Sequence, residues 1–272
     1  MMRMNRASSY FDRAIRFAAP LKDHFGINHF WYYQITNTGA YSYMGTHEDW
    51  AEYCFGSSLI KCFPCLRHPN VLGRGISLMR SNESDESYKA LQEIAWNKFK
   101  INFNLNLYEC SADGVEAFGF ATCFKDPKAD ERLLNELPLL KYFIKAFRKN
   151  HQKMFHVLRE NQVDLRPHMG SDFYKRSTEL SIPLERASFL SKLGCASILT
   201  LTSREKDLIK LLANGYPASY IASQLHLGIR TVENYIATLK DKLNCSSKVA
   251  LIQKAHEIVS IGCFDTELGA KA

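Results

Sequence analysis

Between Thr202 and Val259 the chain places apolar residues every three or four positions through four successive segments, with little sequence left between them. Short amphipathic helices crowded in this way dictate a small all-α bundle, because each apolar stripe is buried only against its neighbours. The first, "TSREKDLIKLLANG", opens with Thr202 as N-cap and Glu205 three residues on, a capping-box pattern, and closes at Gly215. Its stripe is Leu208, Leu211 and Leu212. "PASYIASQLHLG" starts with Pro217 in a first turn and turns Ile221, Ala222 and Leu225 inward. "RTVENYIATLKDKLN" follows, and "SSKVALIQKAHEIV" ends the series with Ser246 or Ser247 as cap. Only "HLGI" separates the central two, and helix, tight glycine turn, helix is a helix-turn-helix signature.

The third segment has two unlike sides. At 100° per residue Val232, Ile236, Leu239 and Leu243 fall on one narrow face, which packing explains. The other side carries Arg230, Glu233, Asn234, Ala237, Thr238 and Asp241, with Lys240 and Lys242 flanking the stripe. A helix of this kind fits the major groove, where base edges present distinct donor and acceptor patterns. Asn234 suits an adenine edge and Glu233 a cytosine amine. Arg230, Thr231, Lys240 and Lys242 are placed for phosphates. Residues 199–264 hold eight Lys/Arg against five Asp/Glu, a modestly basic module that calls for dimerisation to bind tightly.

The stretch from Leu201 to Ile252 resembles the DNA-binding domain of LuxR-type transcription regulators. It matches at Leu201, Thr202, Arg204, Glu205, Leu212, Gly215, Ile221, Ala222, Leu225, Thr231, Val232, Lys242, Leu243 and Ser246. The resemblance implies that the third helix enters the major groove and that the fourth pairs two subunits. Three groove-side positions depart from the family pattern. Glu233 stands where lysine is frequent, Tyr235 where histidine is frequent, and Ala237 where a basic residue is frequent. The base sequence read is therefore expected to differ, and Tyr235 is expected to pack beside the apolar stripe.

Upstream, "SSYFDRAIRFAAPLKDHFGI" reads as one amphipathic helix, and "NHFWYYQI" and "AYSYMG" as strands about a turn at Asn37 to Gly39. "THEDWAEYCF" and "YKALQEIAWNKFK" read as helices, with "GRG" at Gly73 to Gly75 and "SNESDES" as loops. "FNLNLYECSADGVEAFGFATCF" alternates around Asp113-Gly114, a hairpin signal, and a long helical pattern runs from Asp130 to Arg159. The expected fold class is α+β: an N-terminal three-layer α-β-α sandwich around an antiparallel sheet over residues 1–175, a linker over 176–198, and an all-α four-helix helix-turn-helix domain over 199–264.

This order of elements, from Ser9 to Arg159, is similar to the autoinducer-binding domain of many LuxR-type regulators. The resemblance implies a small-molecule pocket walled by Trp31, Tyr33, Tyr43, Trp50, Tyr53, Cys54 and Phe63. In acyl-homoserine-lactone receptors a tryptophan, a tyrosine four residues later and an Asp-Pro pair form part of that pocket. Here those positions fall on Trp50, Cys54 and Phe63-Pro64, so the carboxylate that accepts the signal's amide hydrogen bond is missing. A buried amide without its acceptor costs about 1–3 kcal/mol, so ordinary acyl-homoserine lactones are not the expected ligand.

The rival reading is thiol chemistry. Cys62-Phe-Pro-Cys65 has redox-dithiol spacing, Arg67, His68 and Lys61 are suited to lowering a thiol pKa, and Cys54 with His68 completes a possible zinc set. The setting of such a dithiol, a strand feeding a βαβ unit, is missing. No Gly-x-Ser-x-Gly, His-Glu-x-x-His or Gly-x-x-x-x-Gly-Lys motif occurs, so no enzyme is expected and no cofactor is called for. A formal charge of +7 permits a polyanionic partner. With no bilayer-length apolar run and no secretory start, the expectation is a cytoplasmic homodimer on double-stranded operator DNA, away from membranes.

Overall fold

Thirteen tyrosines and seventeen phenylalanines need a surface on which to pack, and a sheet buried on both faces supplies it. The computed structural model describes residues 9–72, 75–79, 85–123, 126–175, 186–262 and 264. Its contacts divide the chain into two units, Met1–Ile182 and Pro183–Ala272.

The first unit begins with α1 (Ser9–Ala18) and α2 (Pro20–Phe25), then β1 (Ile27–Thr36), β2 (Ala40–Gly45) and α3 (Glu48–Gly56). It continues through β3 (Gly75–Leu78), α4 (Glu86–Phe99), β4 (Asn102–Ser111) and β5 (Gly114–Thr122). It closes with α5 (Ala129–Asn135), α6 (Leu137–Asn150), α7 (Gln152–Glu160), β6 (Val163–Asp164) and α8 (Arg166–Met169). The six strands lie in the order β3-β4-β5-β1-β2-β6, all pairs antiparallel. Strand alternation splits the aromatics of β1. Phe30 and Tyr32 join α1, α2, α5, α6 and α7 on one face, while Trp31, Tyr33 and Ile35 join α3, α4 and α8 on the other. These are the three expected layers.

The two long hairpins are tied at their tips. The Asn37 backbone N–H donates to the Asp113 carbonyl at 3.0 Å, and its side-chain amide to the Ala112 carbonyl at 2.7 Å. Gly114, at φ 153°, lies so close to Ile35 that a Cβ there would sit 2.1 Å from its carbonyl oxygen. Only glycine fits. On the outer face Arg148 of α6 bridges Glu109 at 2.7 Å and Glu116 at 2.6 Å and lies over the Phe118 ring, fixing that helix to the sheet.

Several boundaries differ from the sequence expectation. The helical stretch after Ser9 breaks at Pro20, which starts α2 because proline tolerates a first helical turn and not an interior. The pattern from Asp130 to Arg159 is three helices, interrupted at Pro138, which again takes a first turn, and at His151. Two strands were not expected: β3 begins at Gly75, inside the stretch read as a loop, and β6 has two residues. Edge strands this short carry too little alternation to stand out. The rest of that loop reading, Gly73 and Arg74, lies outside the described residues, as does most of "SNESDES".

In the second unit α9 (Arg186–Leu190) and α10 (Ala196–Leu199) flank a turn kinked at Gly194. The four longer helices are α11 (Ser203–Ala213), α12 (Ala218–Gln224), α13 (Ile229–Lys242) and α14 (Lys248–Ser260). The capping box of Thr202 and Glu205 is formed, and Ser247 caps α14. Leu190 and Ile198, from the stretch assigned to the linker, are buried in the same core as Leu208, Leu212, Ile221 and Leu251. Residues 176–185 lie outside those described. No described helix is long and apolar enough to cross a membrane.

Candidate functional site

Helix α13 starts from Gly228, where the chain leaves the tight turn after α12. Val232, Ile236, Leu239 and Leu243 are buried, so the stripe read from periodicity is the packing face. Arg230, Thr231, Glu233, Asn234, Ala237 and Thr238 are exposed together on the outward side, and Lys240 is half-buried. The Thr238 hydroxyl donates back to the Asn234 carbonyl at 3.1 Å, leaving the Asn234 amide outward. Tyr235 packs against the core edge. The outward row is exposed, and the one hydrogen bond described from its side chains stays within the helix.

Lys242 does not join that row. Its Nζ lies 2.6 Å from Glu205 Oε1, and the Glu205 side chain is only 4% exposed. The second oxygen of Glu205 accepts from the Thr202 backbone N–H at 2.8 Å and from its hydroxyl at 3.0 Å. Burial opposes the Glu205 charge, yet Lys242 and the two Thr202 donors hold its carboxyl below the usual value. The ammonium that the sequence assigned to phosphate thus also ties the end of α13 to the start of α11. Arg204 serves similarly, donating to the Leu225 carbonyl at the end of α12. Among the described residues Arg230 and Lys240 remain as row cations without an ion pair.

The first unit holds a cavity between its sheet and the α3 side. Of the expected wall residues, Trp31, Tyr33, Tyr43, Trp50, Cys54 and Phe63 line it. Tyr53 does not. Its hydroxyl meets Lys98 Nζ at 2.7 Å and its ring packs on Phe99. The sequence reading missed His29, Tyr41, Phe103 and Met79, which also line the space. Alternation in "AYSYMG" puts Tyr41 beside Tyr43 on one face, but His29 and Phe103 sit at β-bulges that shift register, so no local pattern reveals them.

Strand register makes the cavity floor. Trp31 pairs with Gly45 on one side and Gly119 on the other. A Cβ on Gly119 would lie 1.8 Å from the Trp31 ring, and one on Gly45 would lie 2.2 Å from the Tyr43 hydroxyl. Both aromatics therefore lie across bare backbone instead of standing up and filling the space. About 40 Å³ remains open, on a scale where one water needs roughly 10–15 Å³. His29 is stacked on Trp31, and burial followed by the proximity of His47 lowers its pKa to about 3, so the imidazole is neutral. Burial first, then neighbouring Tyr43 and thiols, raises the Tyr41 pKa, and Tyr43 is raised likewise by burial and Cys54. Both are protonated donors.

The thiol reading finds a different chemistry. Cys54 and Cys65 are buried, and no described cysteine is in a disulfide. Burial and then the Cys62 sulfur raise the Cys54 thiol, and burial raises Cys62 even with Arg67 nearby. Arg67 is turned to the Phe63 and Leu66 carbonyls. His68 accepts from the Asn70 N–H and meets the Asn37 carbonyl, so both ring nitrogens are engaged. No group of three metal-ligating side chains occurs among the described residues. These sulfurs pack as small apolar groups.

Residues 199–255 match the family of bacterial regulatory proteins described as the luxR family. The transcriptional activator protein ExaE of Pseudomonas putida is 42% identical over 64 residues, covering 24% of this chain and 30% of that protein. The transcriptional regulatory protein DesR of Bacillus subtilis (strain 168) is 35% identical over 57 residues, covering 21% of this chain and 29% of that protein. The chain thus spans under a third of the length of these curated relatives. A structure of SdiA in complex with octanoyl-rac-glycerol aligns over 95% of this chain and 91% of that chain at 14% identity, with a TM-score of 0.37. A crystal structure of Escherichia coli SdiA aligns over 96% and 94%, again at 14% identity, with a TM-score of 0.36. The capping box, the tight turn before α13 and the sequence match converge: residues 199–255 are a helix-turn-helix domain of the LuxR family.

Proposed function

We propose that the chain is a sequence-specific DNA-binding transcription regulator that acts as a homodimer and takes up a small molecule in its N-terminal unit. The observation that carries this reading is the outward row of α13, polar and exposed, on a LuxR-family domain. Its N-terminal half enters the major groove, where Glu233 and Asn234 contact base edges, Ala237 and Thr238 line the base-facing side, and Arg230, Thr231 and Lys240 meet phosphates. On α14 the exposed Val249 and Val259, with Ile261 just past its end, support pairing of two DNA-binding parts, residues 199–264. Two such helices in successive grooves call for a palindromic operator with half-sites about one turn apart. The cavity supports ligand control, which requires a ligand that prefers one arrangement of the dimer.

Fluorescence anisotropy of the full chain on genomic duplexes tests the reading. A set of fragments bound at least about a hundredfold more tightly than random duplex at physiological salt is expected. Binding that ignores duplex DNA even at low ionic strength overturns it.

A further inference from the structure

The first residue of α13 is apolar and uncovered. Ile229 is 52% exposed, although isoleucine gains from burial and Val232, three residues on, is fully buried. The turn before it does not use this side chain as an anchor, since Leu225 and Leu227 already pack against the core. A single exposed aliphatic residue is ordinary on most surfaces. The place of this one makes it informative, because helix-turn-helix domains read base edges with the N-terminal residues of their second helix.

Two further observations converge on the same spot. Gly228, the N-cap, has φ −72° and ψ 147°, a conformation open to any residue. A Cβ there would meet the Thr231 hydroxyl oxygen at 3.6 Å, an ordinary contact. Neither backbone nor packing requires glycine at this position, and its effect is to leave the flank of Ile229 bare. The second observation is spacing. Ile229, Glu233 and Ala237 are exposed at every fourth residue, so they lie along one edge of the helix. That edge runs apolar, carboxylate, apolar. In the major groove thymine presents a 5-methyl group, and cytosine an amine that a carboxylate accepts.

We propose that Ile229 is a specificity-determining residue that packs on the 5-methyl group of a thymine in the major groove. This rests on the DNA-binding half of the function proposed above, and it names one base that each half-site must carry. The contact is apolar: the isoleucine and the thymine methyl leave water together. It supplies what Glu233 and Asn234 lack, since those side chains offer hydrogen bonds. It carries no charge, so it adds preference without adding to the salt dependence. A protein partner is the competitor for an exposed isoleucine, but the adjoining Gly228, Arg230 and Glu233 supply no apolar surface to extend the patch.

The test uses the full chain and the duplex it binds most tightly among the genomic fragments. Fluorescence anisotropy compares that duplex with a copy carrying deoxyuridine for every thymidine, which removes the 5-methyl groups and keeps the base pairing. Loss of one contacted methyl in each half-site is expected to weaken binding about tenfold overall. Ile229→Ala should bind the thymine duplex about tenfold more weakly than wild type, and should lose at most about threefold more on uracil. Ile229→Val, one methyl shorter, should fall between the two. Asn234→Ala should keep the full uracil penalty. Removing methyls also changes duplex stiffness, so the quantity read is the coupling between Ile229 and the methyl, which a pure shape effect leaves at zero. Single deoxyuridine substitutions then locate the thymine, at one position in each half-site. Equal wild-type affinity for the two duplexes, or an undiminished uracil penalty in Ile229→Ala, overturns the proposal and leaves DNA binding standing. Failure to prefer any fragment over random duplex instead refutes the DNA-binding reading, and the proposal with it.

Discussion

The outward face of α13 and the cavity beneath α3 are both candidate binding surfaces, built by opposite means. The α13 face is local: residues within fourteen positions on one helix supply it, and the core needs only the other side of that helix. The cavity is assembled from β1, β2, β4 and the α3 region, and depends on glycines sitting opposite Trp31 in two neighbouring strands. A helix face can therefore change its residues, and with them its specificity, at little cost in folding. A cavity floor set by register cannot be altered at one position without moving its neighbours. The departures at Glu233 and Ala237 lie on the permissive surface, whereas Tyr235 packs at the core edge.

The contrast is sharpest where folding and recognition share one helix. Replacing Leu239, fully buried in α13, with Ala should destabilise the second unit by about 2–5 kcal/mol, read by urea denaturation. A loss below 1 kcal/mol would mean that the stripe is not the packing face. In the first unit Gly119→Ala should cost about 1–3 kcal/mol by overpacking and displace the Trp31 ring into the cavity. Changed tryptophan fluorescence checks it. Unaltered emission would show that the floor is not set by register.

Lys242→Met should cost about 1–2 kcal/mol, held below the figure for a fully buried pair because the lysine side chain is 40% exposed. The Glu205 carboxyl is depressed in the folded state, so its stabilising effect is present above the ordinary glutamate value near 4.3 and fades as pH falls through the lower folded value. The variant should lose part of this acid-side dependence, visible in thermal melts as pH is lowered through and below the ordinary glutamate value. Stability equal to wild type with weakened DNA binding would instead return Lys242 to a phosphate role. Among exposed residues, Asn234→Ala should alter preference at one base pair by about 1–2 kcal/mol, with the salt slope unchanged. Arg230→Ala should weaken all duplexes evenly and reduce the slope by about one. Equal losses on every sequence from both substitutions would break the division between base and phosphate contacts.

How far the sequence reaches follows the same line. The capping box at Thr202, the stripe of Val232, Ile236 and Leu239, and the hairpin at Asp113-Gly114 are short-range patterns and appear as read. The helices after Ser9 and Asp130 were read as continuous because Pro20 and Pro138 sit in otherwise helical periodicity, and a proline at a first turn leaves the amphipathic stripe almost unbroken. The ion pair of Lys242 was not legible, because nothing within its own helix announces a buried carboxylate thirty-seven residues earlier. Trp31, Tyr33, Tyr43, Trp50, Cys54 and Phe63 were legible as wall candidates from residue type and resemblance, whereas His29 and Phe103 were not.

By itself the sequence determined the helix-turn-helix domain, the polar row of α13 and the presence of a sheet covered on both sides, since all three arise from periodicities of two or 3.6 residues. The tertiary structure alone decided that Trp31 lies over Gly119 and Tyr43 over Gly45, that an aromatic-walled space remains beside them, and that Glu205 pairs with Lys242. Those outcomes depend on which residues face one another across strands and helices distant in the chain, and no local spacing encodes that.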